Sequence, residues 1–204
     1  MTTEAMVFVV DDDQALRSSL KWLIESVGLR VETFDSADRF LESYYPGRAG
    51  VLLLDVRMPG MSGLELQEHL GRECSGLPVI IITGHGDVPM AVRAMKAGAV
   101  DFIEKPFNDE ALLESIRNAL ALGERRRRTQ AERAEIAARL AHLTPREHEV
   151  MEMVTNGFSN KEIAQSLGVS AKTVEAHRAR VMEKMEAGSL AELVRMALAV
   201  RPEA

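Results

Sequence analysis

The stretch Val51-Leu52-Leu53-Leu54-Asp55, followed by Val56-Arg57-Met58-Pro59-Gly60-Met61-Ser62-Gly63, decides the fold of this 204-residue chain. Consecutive apolar residues that end on a carboxylate are typical of a parallel strand buried on both faces. The Pro-Gly-x-Ser-Gly segment after it indicates a loop. Because open α/β sheets bind ligands at the carboxyl ends of their strands, we expect Asp55 to face a crevice as a metal ligand, a base or a nucleophile.

Alternating strand and helix patterns surround this stretch and predict a first domain over residues 1–122. The other strands are expected at Met6–Val10, Arg30–Phe34, Val79–Thr83 and Asp101–Glu104. Helices are expected at about 14–27, from Ser36, from Ser62, at about 88–97 and at about 108–122. Five strands separated by helices predict a doubly wound parallel sheet with helices on both faces.

A different pattern begins at Gly123. Residues 123–141 hold four consecutive arginines and only Ile136 and Leu140 as large apolar residues, which predicts a polar linker, helical or partly disordered. Residues 142–204 are helical in pattern throughout, and helix starts at Thr144, Ser159, Ser170 and Ser189 predict four short helices. These helices form a second, all-α domain.

Charge is unevenly distributed along the chain, whose net charge is −6. Residues 1–122 carry a net −8, residues 123–141 a net +3 and residues 142–204 a net −1. Any DNA-binding surface must therefore be a local basic patch. No stretch approaches the ~20 apolar residues of a membrane span, so we expect a cytoplasmic protein. Cys74, the single cysteine, excludes an internal disulfide and is expected to be a partly buried residue at a helix end.

Polar side chains follow four of the predicted strands. They are Asp11, Asp12, Asp13, Asp55, Thr83 and Lys105. Since the carboxyl ends of parallel strands share one edge, we expect these residues in one pocket. Clustered carboxylates favour a hard cation such as Mg²⁺ (or Mn²⁺), and a lysine and a threonine opposite them suit an anionic group. The combination predicts phosphoryl transfer to Asp55, which would form an acyl phosphate.

The motifs of the first domain resemble the receiver domain of two-component response regulators. They are Val9-Val10-Asp11-Asp12-Asp13, Asp55-Val56-Arg57-Met58-Pro59-Gly60-Met61-Ser62-Gly63, Thr83-Gly84-His85-Gly86 and Lys105-Pro106-Phe107. The resemblance implies a flavodoxin-like sheet of order 2-1-3-4-5. It further implies that a sensor histidine kinase phosphorylates Asp55.

The same resemblance implies a role for each residue of the pocket. Metal ligands would be Asp12 directly, Asp11 through water, Asp55, and the backbone carbonyl of Arg57. Thr83 and Lys105 would bind the phosphoryl oxygens, and Lys105–Pro106 would be a cis peptide. Thr83 and Phe102 would be the switch pair, although Phe102 lacks a hydroxyl. His85 is either a solvent-facing loop residue or a modest influence on dephosphorylation.

The second and third helices of the all-α domain have helix-turn-helix spacing, with Gly168 in the turn. Lys161, Lys172, Arg178 and Arg180 form a local basic patch suited to phosphates. Thr173 is either a helix-start residue or a DNA contact. Shorter side chains on the third helix allow close approach to bases.

The second domain resembles the LuxR/NarL class of DNA-binding domains. The motifs are Leu143-Thr144-Pro145-Arg146-Glu147, Asn160-Lys161-Glu162-Ile163-Ala164 and Ser170-x-x-Thr173-Val174-x-x-His177. The whole chain is most similar to the FixJ type of the FixJ/NarL family. The resemblance implies base contacts at Glu175, Ala176 and Ala179, with His177 nearer the backbone. The family often has lysine where this chain has Glu175, so a changed target is expected.

These features predict a transcriptional regulator that binds a double-stranded DNA operator after phosphorylation and is not an enzyme. By the same resemblance, the helix at 88–97 and the fifth strand, with Val92 and Lys96, would pair two chains, and RNA polymerase is a further candidate partner. One rival is an aspartyl phosphohydrolase, which Arg57 disfavours because such enzymes have an aspartate two positions after the nucleophile. The other rival is a constitutive DNA-binding protein, which the complete acidic set disfavours.

Overall fold

The computed structural model describes residues 5–72, 76–84 and 86–200, so the expectations for Cys74 and His85 lie outside the described residues. The chain divides into two compact units, Met1–Arg128 and Thr129–Ala204. The first unit contains the parallel sheet, in the expected order β2-β1-β3-β4-β5. The strands are β1 (Met6–Val10), β2 (Arg30–Phe34), β3 (Gly50–Asp55), β4 (Val79–Thr83) and β5 (Asp101–Glu104). Its helices are α1 (Gln14–Ser26), α2 (Ala37–Ser43), α3 (Gly63–Arg72), α4 (Val88–Lys96) and the start of α5 (Asp109–Ala141).

The sheet is buried on both faces, as the unbroken apolar run of β3 predicts. Alternate side chains of the strands enter two separate cores. On one face Leu52 and Leu54 pack with residues of α2, α3 and α4. On the other face Val51 and Leu53 pack with Leu20 of α1 and residues of α5. All six residues of β3 are buried, so its terminal carboxylate is held at a fixed point of the sheet edge.

Helix α5 is longer than the sequence pattern predicts. It runs as one helix to Ala141, where an end near Leu122 and a separate linker were expected. Residues 124–141 consist almost entirely of Arg, Glu, Ala, Gln and other good helix formers without proline, so a single glycine at 123 does not end the helix. The domain boundaries at 122 and 142 stay a prediction.

The second unit contains the four expected helices, together with the end of α5. They are α6 (Pro145–Thr155), α7 (Asn160–Leu167), α8 (Ala171–Lys184) and α9 (Leu190–Ala199). Capping boxes at Thr144 and Ser159 start α6 and α7, and Gly168 ends α7 in the left-handed conformation that glycine adopts without strain. The core includes Ile136 of α5, which explains why this residue interrupts an otherwise polar segment.

An ion pair between buried Glu147 and half-buried Lys184 ties α6 to α8. Glu147 is 2% exposed. Its carboxylate closes the α6 capping box and accepts a hydrogen bond of 2.6 Å from Nζ of Lys184. This bond, together with those from Thr144, lowers the pKa of Glu147 to about 2. The ionised carboxylate therefore stabilises the folded state at neutral pH.

We predict that Glu147→Gln destabilises the second unit by about 1–3 kcal/mol at neutral pH, because Lys184 loses its charged partner. The folded-state pKa lies below the ordinary 4.5, so the contribution is complete above 4.5 and is lost as the pH falls toward 2. Urea unfolding followed by far-UV circular dichroism at several pH values measures the difference. Glu149→Gln is the control, since Glu149 pairs with Arg146 on the surface of the same helix. A difference that does not shrink between pH 4.5 and 2 would contradict the assignment.

Candidate functional site

The expected pocket forms at the carboxyl edge of the sheet. Val10 lies beside Leu54 in the register, so the next residues, Asp11 and Asp55, are neighbours. Nζ of Lys105, directly after β5, lies 2.8 Å from Oδ2 of Asp11 and 2.6 Å from Oδ1 of Asp55. Both carboxylates are almost fully buried, at 3% and 6% exposure. The structure therefore brings three residues from three strands into direct contact.

Backbone groups fix the orientation of both carboxylates. The amide of Asp13 donates to Oδ1 of Asp11 over 2.8 Å. The amide of Arg57 donates to Oδ2 of Asp55 over 2.6 Å. Each carboxylate thus has one oxygen held by the loop after its own strand and the other by Lys105. The Asp55 carboxylate is therefore held in one orientation, with the ammonium group of Lys105 beside it.

The electrostatics of the pocket are those of crowded carboxylates. Burial raises the pKa of Asp55, and the nearby charge of Asp11 adds to this effect, against the hydrogen bond from Lys105, which lowers it. Burial alone would lower the pKa of Lys105, but its hydrogen bonds to Asp11 and Asp55 outweigh burial and raise it. One ammonium therefore faces two carboxylates, which leaves an excess of negative charge that a cation would neutralise.

The remaining acidic residues are placed differently. Asp12 is exposed beside the pocket. Asp13 is the N-cap of α1 and accepts hydrogen bonds from the amides of Ala15 and Leu16. Among the described residues, no three His, Cys, Asp or Glu side chains are arranged as a metal site. The oxygen donors of Asp11 and Asp55 nevertheless suit Mg²⁺, which uses one or two carboxylates and retains several waters.

The expected switch residues lie next to the pocket. Thr83 is 1% exposed at the end of β4, and its carbonyl accepts from the amide of Lys105 over 2.8 Å. Phe102 is half-buried on β5 and packs against the core on the α4 side. Gly86 leaves space for the Phe102 ring, since a Cβ at position 86 would lie 3.0 Å from Cε1 of Phe102. The Lys105–Pro106 peptide is cis, as expected.

The helix-turn-helix residues lie mostly on the surface of α8. Its outer face is exposed and consists of Lys172, Glu175, Ala176, Ala179 and Arg180. Lys161 is exposed on α7, and Thr173 is half-buried with its hydroxyl 2.8 Å from that of Ser170. His177 is half-buried, and its Nδ1 has no hydrogen-bond partner within the described part of the chain. The structure therefore presents most of the expected basic patch to solvent.

Arg178 is placed differently from the other cations of the patch. It is half-buried, and its Nη1 donates a hydrogen bond of 2.6 Å to Oδ1 of Asn160, the first residue of α7. The expectation that Arg178 binds phosphate stays a prediction.

Sequence reasoning missed several residues that shape the sites. Nη1 of Arg17 donates to the carbonyl of Asp11 over 2.6 Å and so ties α1 to the pocket. The amide of Gly63 donates to the carbonyl of Val56, which closes the loop after Asp55. A Cβ at Gly63 would lie 2.0 Å from the Asp55 carbonyl oxygen. In the sequence, the only sign of this close approach is the glycine that follows Ser62 at the start of α3.

Comparison with known families identifies two domains in the chain. Residues 7–117 match the response regulator receiver domain, and residues 141–197 match the luxR family of bacterial regulatory proteins.

Full-length relatives combine both domains. The transcriptional regulatory protein FixJ of Bradyrhizobium diazoefficiens is 49% identical over 199 residues, 97% of each chain. FixJ of Azorhizobium caulinodans is 50% identical over 192 residues, 94% of this chain and 91% of its own. The response regulator StyR has a similar solved structure, with a TM-score of 0.85, 46% identity, and 96% and 98% of the two chains covered. Full-length FixJ from B. japonicum matches with a TM-score of 0.58 and 46% identity over 98% of each chain.

A receiver domain joined to a LuxR-type DNA-binding domain defines a class of transcriptional response regulators that are not enzymes. Within this class, the chain belongs to the FixJ/NarL family. It is a DNA-binding regulator of transcription that depends on phosphorylation. The helices of the described residues include none that is long and apolar enough to cross a membrane.

We predict that Gly63→Ala destabilises the first unit and slows phosphorylation, because the new methyl group collides with the Asp55 backbone and displaces the loop of Arg57. A loss of about 1–3 kcal/mol is expected from overpacking. Urea unfolding and the rate of acyl-phosphate formation measure the two effects.

Gly71→Ala is the matched control on the same helix, since a Cβ there meets nothing within 4 Å. It should stabilise α3 by up to about 1 kcal/mol and leave the phosphorylation rate unchanged. If the two variants had the same free energy of unfolding and the same phosphorylation rate, the contact of Gly63 with Asp55 would influence neither property.

Proposed function

We propose that Asp55 receives a phosphoryl group from the phosphohistidine of a sensor histidine kinase. The observation that carries this proposal is the contact of buried Asp11 and Asp55 with one lysine at the sheet edge. A carboxylate oxygen of Asp55 attacks phosphorus, the P–O bond forms, and the P–N bond breaks with its electron pair going to the imidazole. The product is an acyl phosphate on the protein.

The other residues of the pocket would bind the phosphoryl oxygens and the cation. Lys105 would turn from the carboxylate of Asp55 to a phosphoryl oxygen, and the hydroxyl of Thr83 would bind another. Mg²⁺ (or Mn²⁺) supplies charge neutralisation when bound. Asp11, Asp12, Asp55 and the Arg57 carbonyl would hold it, and the excess negative charge of the buried pair supports this assignment.

Phosphorylation would then alter the outer face of α4 through Thr83 and Phe102. This face has three exposed apolar side chains at helical spacing, Val88, Val92 and Met95, with exposures of 76%, 46% and 48%. An exposed apolar strip of this kind is typical of an interaction surface. We propose that the strip, with Lys96 beside it and β5, pairs two phosphorylated chains into a homodimer.

A homodimer would present two α8 helices to a two-part operator in double-stranded DNA. Lys161, Lys172 and Arg180 are exposed and would contact phosphates, with Thr173 and His177 near the backbone. Glu175, Ala176 and Ala179 occupy the outer face and would meet base edges. Glutamate accepts from the cytosine amino group, so a cytosine is expected opposite Glu175. Because the chain would bind an operator in DNA, we propose a cytoplasmic location. RNA polymerase is a further candidate partner.

We predict that Asp55→Asn abolishes both acyl-phosphate formation and phosphorylation-driven dimerisation, because the amide is not a nucleophile. Radiolabelled acetyl phosphate with Mg²⁺ measures the first, and light scattering after size-exclusion chromatography measures the second. Asp13→Asn is the control, since Asp13 caps α1 and asparagine caps a helix equally well. Dimerisation of Asp55→Asn that still responds to acetyl phosphate would rule out this switch.

We predict that Val92→Glu leaves phosphorylation intact and prevents dimerisation, because it places a charge in the centre of the α4 strip. The dimer dissociation constant should rise at least tenfold in sedimentation experiments on the phosphorylated chain. Val27→Glu is the matched control, because Val27 is another exposed valine, 39% exposed at the end of α1. A Val92→Glu chain that dimerises like the wild type would exclude α4 as the interface.

A further inference from the structure

Arg178 lies on the inner face of α8, although its charge resembles that of its exposed neighbours. It follows Val174 by four residues and precedes Val181 by three, and these two valines are 0% and 1% exposed. At 3.6 residues per turn, positions three and four apart share one face of a helix. Arg180 is two positions further on and therefore points roughly 160° away. Arg178 thus belongs to the stripe that packs α8 onto the domain.

The contacts of Arg178 agree with this placement. The side chain lines a small, partly open pocket together with Met151, Val154 and Leu193 of the domain core. Its guanidinium reaches the start of α7, where Nη1 donates 2.6 Å to Oδ1 of Asn160. Arginine often covers apolar residues with its methylene groups while its head finds a polar partner. The bond to Asn160 fixes the position of the guanidinium head beside the start of α7, while the methylenes stay on the packed face of α8.

We infer that Arg178 is a positioning residue, which fixes the recognition helix α8 against the first turn of α7 through Asn160 and does not contact phosphate. The inference deepens the proposed function, because it rests on α8 being the helix that meets DNA. The cations of the helix-turn-helix then have two different roles. Lys172 and Arg180 supply charge to the DNA, whereas Arg178 sets the relative placement of α7 and α8.

The first arm of the test measures the salt dependence of DNA binding. The full chain, phosphorylated with acetyl phosphate, is titrated onto a fluorescent mixed-sequence duplex at several salt concentrations. Loss of one phosphate contact lowers the slope of log K against log salt by about one. Arg180→Gln should show this change. Arg178→Met, which keeps the packing of the stem, should leave the slope unchanged, and a slope reduced as in Arg180→Gln would overturn the inference.

The second arm needs no DNA. Hydrogen exchange of the full chain, measured by mass spectrometry, should show loss of protection in the first turn of α7 for Arg178→Met and for Asn160→Ala. Because both variants remove the same hydrogen bond, Arg178→Met should add no further loss in the Asn160→Ala background. Unchanged protection in Arg178→Met would overturn the positioning role. If the wild-type chain fails to bind the duplex, the proposed DNA contacts are wrong, and this second arm still decides the role of Arg178.

Discussion

The receiver site depends on the contact of the Lys105 ammonium group with the carboxylates of Asp11 and Asp55. The ammonium group lies within 2.8 Å of two buried carboxylates from different strands, so it offsets a repulsion that the fold itself creates. The parallel register forces Asp11 and Asp55 together, and burial strengthens every charge interaction between them. The pocket therefore contains negative charge that is only partly compensated, which suits the proposed binding of a cation beside the phosphoryl group.

The parallel sheet and its acidic edge were predictable because they follow from local patterns. An unbroken apolar strand must be buried on both faces, and a residue at its carboxyl end must lie at the ligand edge. Asp11 follows such a strand, and Asp55 and Thr83 end two others. Lys105 follows the short strand β5 at the same edge, so the meeting of these residues needed no knowledge of packing. The close approach of Gly63 to the Asp55 carbonyl was not predictable, since it depends on the path of a loop.

Two other differences from the sequence predictions have a local origin. The length of α5 was underestimated because Gly123 resembles a helix stop, whereas the polar residues that follow are good helix formers. Arg178 was predicted to contact phosphate together with exposed cations, which stays a prediction, and the structure places its side chain half-buried. Its spacing from Val174 and Val181 already indicated the buried face, so here the signal was present in the sequence.

The charge distribution explains why DNA binding by such a regulator would depend on dimerisation. The second domain carries a net charge near zero, and only three cations of its expected DNA-binding patch are exposed, Lys161, Lys172 and Arg180. Since phosphate neutralisation supplies most of the affinity for DNA in the absence of base recognition, a single domain of this kind would bind weakly. Linking two domains makes the second contact intramolecular, which multiplies affinity without any new side chain. A receiver whose phosphorylation alters a pairing surface would thus control DNA binding without altering α8 itself.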